Sequence, residues 1–97
     1  MEVGQHGTYY IGSDAYPITV IEIKSPKKIV VQFDDFLGDK ENGHDYYGIQ
    51  VWKILRKENG RTEEFTWKPK KEAFGPKGDS SGKLILGRWT AKQDPSF

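Results

Sequence analysis

The residues able to do chemistry are few and dispersed. Asp14, Asp34 and Asp35 form the first group. If Asp14 opens one strand and Asp34 closes the next, an antiparallel hairpin carries both to one end of a sheet. Carboxylates gathered there can bind a cation or move a proton. Equally, Asp14 after Gly12-Ser13 serves as an Asx-turn residue, and the Asp34-Asp35 pair caps a solvated edge. The run from Asp34 through Asp39, Glu41 and Asp45 lacks the central Gly and closing Glu of an EF-hand loop, which excludes that calcium motif. His6 and His44 are the two imidazoles. Neither finds the third strong ligand that zinc requires, even with Asp45 beside His44. A nucleophilic triad would draw on Ser13, Ser80 or Ser81 with His44, and no G-x-S-x-G elbow orients any of these serines. Gly75, Gly78 and Gly82 build neither G-x-G-x-x-G nor a P-loop. With no cysteine in the chain, thiolate metal sites, disulfides and Cys nucleophiles go together. The expectation is a binding protein and not an enzyme, with no cofactor and no metal.

Two surfaces are candidates for that binding. Thirteen of the 97 residues are Phe, Trp or Tyr, more than a small barrel can bury, so several must reach the surface. Tyr9 and Tyr10 are adjacent on a strand and point to opposite faces. An outward cluster of Tyr10, Tyr16 and Tyr46 with Asp14 or Asp35 would make an aromatic rim with an acidic lip. Such a rim suits a cation, a peptide Pro or Arg, or a stacked base. Alternatively, the tyrosines only cover the open barrel ends. The second surface is the segment from Lys68 to Lys77, where Lys68, Lys70, Lys71 and Lys77 surround Phe74 with one Glu among them. Basic residues interleaved with an aromatic fit a phosphate-contacting loop. They fit equally a solvated hairpin tip whose lysines guard an edge. For Trp52, Trp67 and Trp89, core packing is expected of at least two.

Positioning these groups falls to strands. Val and Ile total thirteen against four Leu and three Ala, a strand composition, and no helical period appears. Strands are expected at Gly7 to Ile11, Tyr16 to Lys24, Lys28 to Asp34, Tyr46 to Lys57, Arg61 to Lys68 and Lys83 to Trp89. A short one is expected near Ala73-Phe74. Pro69 should end the fifth strand, since it has no amide proton for a ladder. Asn59-Gly60 predicts a tight hairpin joining the fourth and fifth strands. Asp35 to Asp45 reads as a polar loop. Six short strands in a chain this small need closure to manage their edges. The expected fold class is therefore all-β, a small SH3-like barrel of five to six antiparallel strands, forming a single domain over residues 1–97.

Charge nearly cancels at +1 but is unevenly placed. Residues 1–50 carry four Lys and eight Asp/Glu, net −4; residues 51–97 carry eleven Lys/Arg and six Asp/Glu, net +5. Opposite local charges favour a steered protein–protein contact. No apolar run is long enough to span a membrane, and no signal-peptide pattern opens the chain, so a cytoplasmic setting is expected.

Two stretches carry a resemblance. Asp14-Ala15-Tyr16-Pro17-Ile18-Thr19-Val20, then Lys28-Ile29-Val30-Val31-Gln32-Phe33-Asp34-Asp35, resembles the opening hairpin of SH3-like barrels such as Tudor and KOW domains. Together with Leu86-Gly87-Arg88 and Asp94-Pro95-Ser96-Phe97, it is similar to a group of short accessory proteins encoded by phages and prophages. The resemblance implies a viral accessory protein; by analogy with such proteins it would dock in the host cytoplasm on a host or phage protein, such as a host nuclease or defence component it would inhibit, and a monomer or small homo-oligomer is expected. Two other readings stay open. One is a KOW- or Tudor-like nucleic-acid-binding module; the other is a small-ligand sponge for nucleotides.

Overall fold

A computed structural model describes residues 1–44, 51–57, 59–76 and 82–92. Its strands are β1 (His6–Ile11), β2 (Asp14–Ser25), β3 (Lys28–Phe33), β4 (Asp35–Gly38), β5 (Trp52–Leu55), β6 (Thr62–Lys68), β7 (Ala73–Pro76) and β8 (Lys83–Leu86). A 3₁₀ turn occupies Lys40–Asn42. The order β1-β2-β3-β6-β7-β8 closes into an antiparallel barrel, and β4-β5 forms a separate two-stranded ribbon. The small all-β barrel expected from the sequence is the fold observed, and its form is consistent with the SH3-like kind. No helix among the described residues is long and apolar enough to cross a membrane.

Alternation builds the core. On β2, Ile18 and Val20 face inward; on β3, Ile29 and Val31 do the same, and Phe65 of β6 sits between them, all fully buried. Tyr9 and Phe65 meet edge to face at 5.1 Å. β2 serves two neighbours, pairing with β1 through its first half and with β3 through its second. A register shift between Val20 and Glu22 bends it there, which is how a bulge lets one strand turn a barrel corner. The seam between β7 and β8 is narrow, with Phe74 opposite Leu84 as its paired position.

The Asn59-Gly60 hairpin is overturned. β5 and β6 do not pair with each other; each pairs with one half of a continuous run, β3 with β6 and β4 with β5. Gln32 faces Thr62 and Asp35 faces Leu55, so the described residues between them, 56, 57 and 59–61, bulge out opposite Phe33 and Asp34. The polar loop expected from Asp35 onward thus begins as a strand. Gly60 is needed here for close approach, since a Cβ on it would lie 2.4 Å from the Phe33 carbonyl oxygen. Of the fourth expected strand, Tyr46 to Lys57, residues 46–50 lie outside the described residues, and within 51–57 the strand spans Trp52–Leu55. The last strand stops at Leu86 because Gly87 turns the chain away at φ +90°. Its amide still reaches the His6 carbonyl at 2.9 Å.

The β4-β5 ribbon is an arm. The radius of gyration is 13.8 Å and the long axis 41 Å, against about 12.5 Å expected for the radius of a compact chain of this length. None of the four residues of either arm strand is fully buried.

Candidate functional site

The arm leaves the barrel at Asp34, whose side chain makes the joint. Asp34 is 6 % exposed, and its carboxylate accepts three hydrogen bonds. Thr19 donates from Oγ1 at 2.6 Å, Trp89 from Nε1 at 3.1 Å, and the Lys57 backbone amide at 3.3 Å. These tie β2, the segment after β8 and the bulge at Lys57 to one point. Thr19 spends its proton on Asp34, so it accepts from His6 Nδ1 at 3.1 Å. The His6 ring stacks flat on Trp89 at 3.8 Å. Gln32 donates to the Lys57 carbonyl from the other side of the bulge. A carboxylate so surrounded is an anchor, with three of its about four acceptor sites engaged. Trp89 thus acts outside the core, Trp52 sits on the arm, and Trp67 alone of the three packs against the core cluster. Core packing of at least two tryptophans is corrected accordingly: the fourth strand left the barrel, and Gly87 took Trp89 to its outside.

Beyond the joint, a row of rings runs from barrel to arm. Tyr16 meets Phe36 at 6.3 Å, Phe36 meets Trp52 at 5.0 Å, and Trp52 meets His44 at 4.5 Å. All four are half-buried. The His44 ring lies against Gly38, where a Cβ would strike it at 2.6 Å. Its Nδ1 accepts the Val51 amide at 3.0 Å, which leaves the ring proton on Nε2. Tyr16 donates to Asp14 Oδ2 at 3.3 Å. Burial, and then the Asp14 charge and hydrogen bond, hold the Tyr16 phenol above its usual pKa, while Arg61 pulls the other way. The Arg61 guanidinium lies over the Phe33 ring at 4.4 Å, a cation–π contact that fixes its plane. It makes no ion pair among the described residues.

Of the predicted rim, the structure brings Tyr16 and Asp14 together. Asp35 lies on the arm, exposed, with Lys57 Nζ at 3.5 Å. Tyr10 is parted from Tyr16: Tyr9 faces Tyr16 across the ladder and Tyr10 faces Ala15, so the two fall on opposite faces of the sheet. Tyr46 lies outside the described residues. Phe36, Trp52, His44 and Arg61 were missed. The available signal was the alternation Phe36-Leu37-Gly38, obscured by its acidic neighbours.

The basic segment divides. Lys68 ends β6, Lys70 and Lys71 are exposed in the turn after it, and Lys71 Nζ donates to the Gly82 carbonyl at 3.3 Å. A Cβ on Gly75 would meet the Lys68 methylenes at 3.3 Å, so that side chain lies along β7. Phe74 is not part of this surface. It points inward at 7 % exposure and meets Trp67 edge to face at 5.3 Å, because the turn hands it to the inward register of β7. Lys77 lies outside the described residues. Below this turn the barrel end opens as an apolar groove of about 380 Å³ lined by Met1, Pro26, Lys27, Trp67, Phe74 and Leu86.

No three His, Cys, Asp or Glu side chains gather in a metal-binding group among the described residues. No protein-family model, curated protein or solved structure matches the chain.

Proposed function

We propose that this chain is a non-enzymatic binding protein that docks on another protein through the aromatic row at the junction of barrel and arm. The observation carrying this reading is that Tyr16, Phe36, Trp52 and His44 form a connected, half-buried row that starts at Tyr16, packed against the barrel core, and runs out along the arm. A fixed cation, Arg61, and a hydrogen-bonded carboxylate, Asp14, stand near its barrel end. Tyr, Trp and Arg in partly desolvated positions are the residue types that dominate protein–protein binding energy. The row offers rigid rings and fixed charges but no activated nucleophile, and the most buried carboxylate is engaged as an anchor. The resemblance to phage accessory proteins supplies the kind of partner: a host nuclease or defence component in the cytoplasm, blocked by occupation of its surface. That step rests on analogy.

Affinity capture from nuclease-treated host lysate tests the reading, with Trp52→Ala and Arg61→Glu as comparisons. One host protein should be retained by the natural chain and lost from both variants. Equal retention by all three, or retention of nucleic acid alone, overturns it. A second reading is favoured by the shared position of Lys68, Lys70 and Lys71 at one turn: contact with nucleic-acid phosphates. It requires binding to single-stranded DNA or RNA that falls as salt rises. A gel shift showing none at low salt removes it.

A further inference from the structure

The outward face of the arm is a square of four side chains. In the β4-β5 register Asp35 stands opposite Leu55 and Leu37 opposite Lys53. Alternation puts these four on one face, with Phe36, Trp52 and Ile54 on the other. Leu37 is 58 % exposed and Leu55 46 %. The two leucines therefore occupy one diagonal of the square, and an acid and a base occupy the other. A two-stranded ribbon is marginal by itself, and here the barrel and the aromatic row support the inner face alone.

We propose that a second copy of this chain covers the outer face, the two arms stacking about a two-fold axis that runs along the Leu37–Leu55 diagonal. A two-fold axis makes a surface meet itself, residue i touching j and j touching i. About this diagonal, Leu37 meets Leu37, Leu55 meets Leu55, and Asp35 of each copy meets Lys53 of the other. The charge pattern is thus complementary to itself. An axis along the strands would set Asp35 on Leu55, and an axis across them would set it on Leu37, each placing a charge against an apolar side chain without a partner. The diagonal axis makes the paired strands cross steeply, as in orthogonal sheet packing. Asp35 already has Lys57 at 3.5 Å, but both side chains are about half exposed, and such surface pairs exchange partners at little cost. Asp39 and Glu41 lie beside Lys53 and Leu37 around a shallow hollow, so the base of the square sits in an acidic setting. Four side chains on each copy make a small interface, so the dimer is weak and forms as concentration rises.

Sedimentation equilibrium of the full chain over a wide concentration range reads this directly. A reversible monomer–dimer equilibrium is expected. Asp35→Lys alone and Lys53→Asp alone each set like charges opposite one another and should raise the dissociation constant at least about tenfold. The combined swap, Asp35→Lys with Lys53→Asp, should restore the dimer. Thermal melts of each variant check that the barrel is intact. A chain that stays monomeric throughout, a dimer indifferent to the single reversals, or a swap that restores nothing would overturn the proposal. The aromatic row lies on the other face of the arm, so this result and the capture experiment succeed or fail separately.

Discussion

The barrel and the arm are made from the same kinds of strand but are held by different means. In the barrel, Ile18, Val20, Ile29, Val31 and Phe65 are fully enclosed, and each strand has a neighbour on both sides. In the arm, two strands of four residues have only each other, and their rings are half-covered. Apolar burial stabilises by about 25 cal/mol per Å² removed from water, so the barrel supplies the stability and the arm draws on it. The two communicate through Asp34, where a buried carboxylate holds the bulge that lets the arm depart. Docking as proposed would draw on this difference, because half-covered rings keep apolar area to bury.

Substitutions can separate the two regions, and the largest effect belongs to the barrel. Phe65→Ala leaves a cavity at the centre of the core and should cost about 3–5 kcal/mol, read from urea unfolding. Next comes the joint. Asp34→Ala strands the Thr19 hydroxyl, the Trp89 indole N–H and the Lys57 amide at once, and should cost about 2–4 kcal/mol. Amide exchange around residues 56–61 should speed up well before the barrel strands open. Trp52→Ala acts on the arm, where the ring meets Phe36 and His44. It removes ring contacts worth about 0.5–1.5 kcal/mol each, but those contacts stabilise the arm locally, so the unfolding midpoint should move little while protection in β4 and β5 is lost. If Trp52→Ala lowered global stability as far as Phe65→Ala, the arm would be part of the cooperative core and the distinction between the two would collapse.

The barrel was legible because the residues that reach its core on β3 follow the strand period, even though Gln32 between them is buried as well. Ile29, Val31 and Phe33 alternate with Val30 and Gln32, and the inward set is the one the alternation picks. β6 ends at Lys68, immediately before Pro69, where the sequence places its end. The arm was hidden because it departs from local rules. Asn59-Gly60 has the form of a tight turn, yet Gly60 is there because the Phe33 carbonyl comes too close for any side chain. Beside that approach Asp34 captures the Lys57 amide, a contact between residues 23 positions apart. Asp34 itself read as an edge carboxylate, since nothing local announces that Thr19 and Trp89 will converge on it. Phe74 read as part of a basic loop because it lies among lysines in sequence; the strand pleat, not the neighbourhood, decided its direction.

The smallest predicted effect asks whether the rim belongs to the barrel or to the arm, and Tyr16 answers it. Its phenol is held above the ordinary tyrosine value by burial first and by Asp14 second, with Arg61 opposing. The fold thus favours the neutral, protonated phenol. Its contribution to stability is complete below the unfolded pKa and disappears as pH rises through the folded one. Asp14→Asn removes the second cause and should lower the Tyr16 midpoint; Arg61→Gln removes the opposing charge and should raise it. Tyrosinate absorbance followed against pH, with Tyr16→Phe subtracted to isolate this ring from the other tyrosines, measures both. Asp14 and Tyr16 both belong to β2, so these shifts should survive Trp52→Ala. A midpoint that returned to the ordinary value when only Trp52 was removed would mean that the arm, and not the barrel, shields the phenol, and the rim would then have to be assigned to the arm.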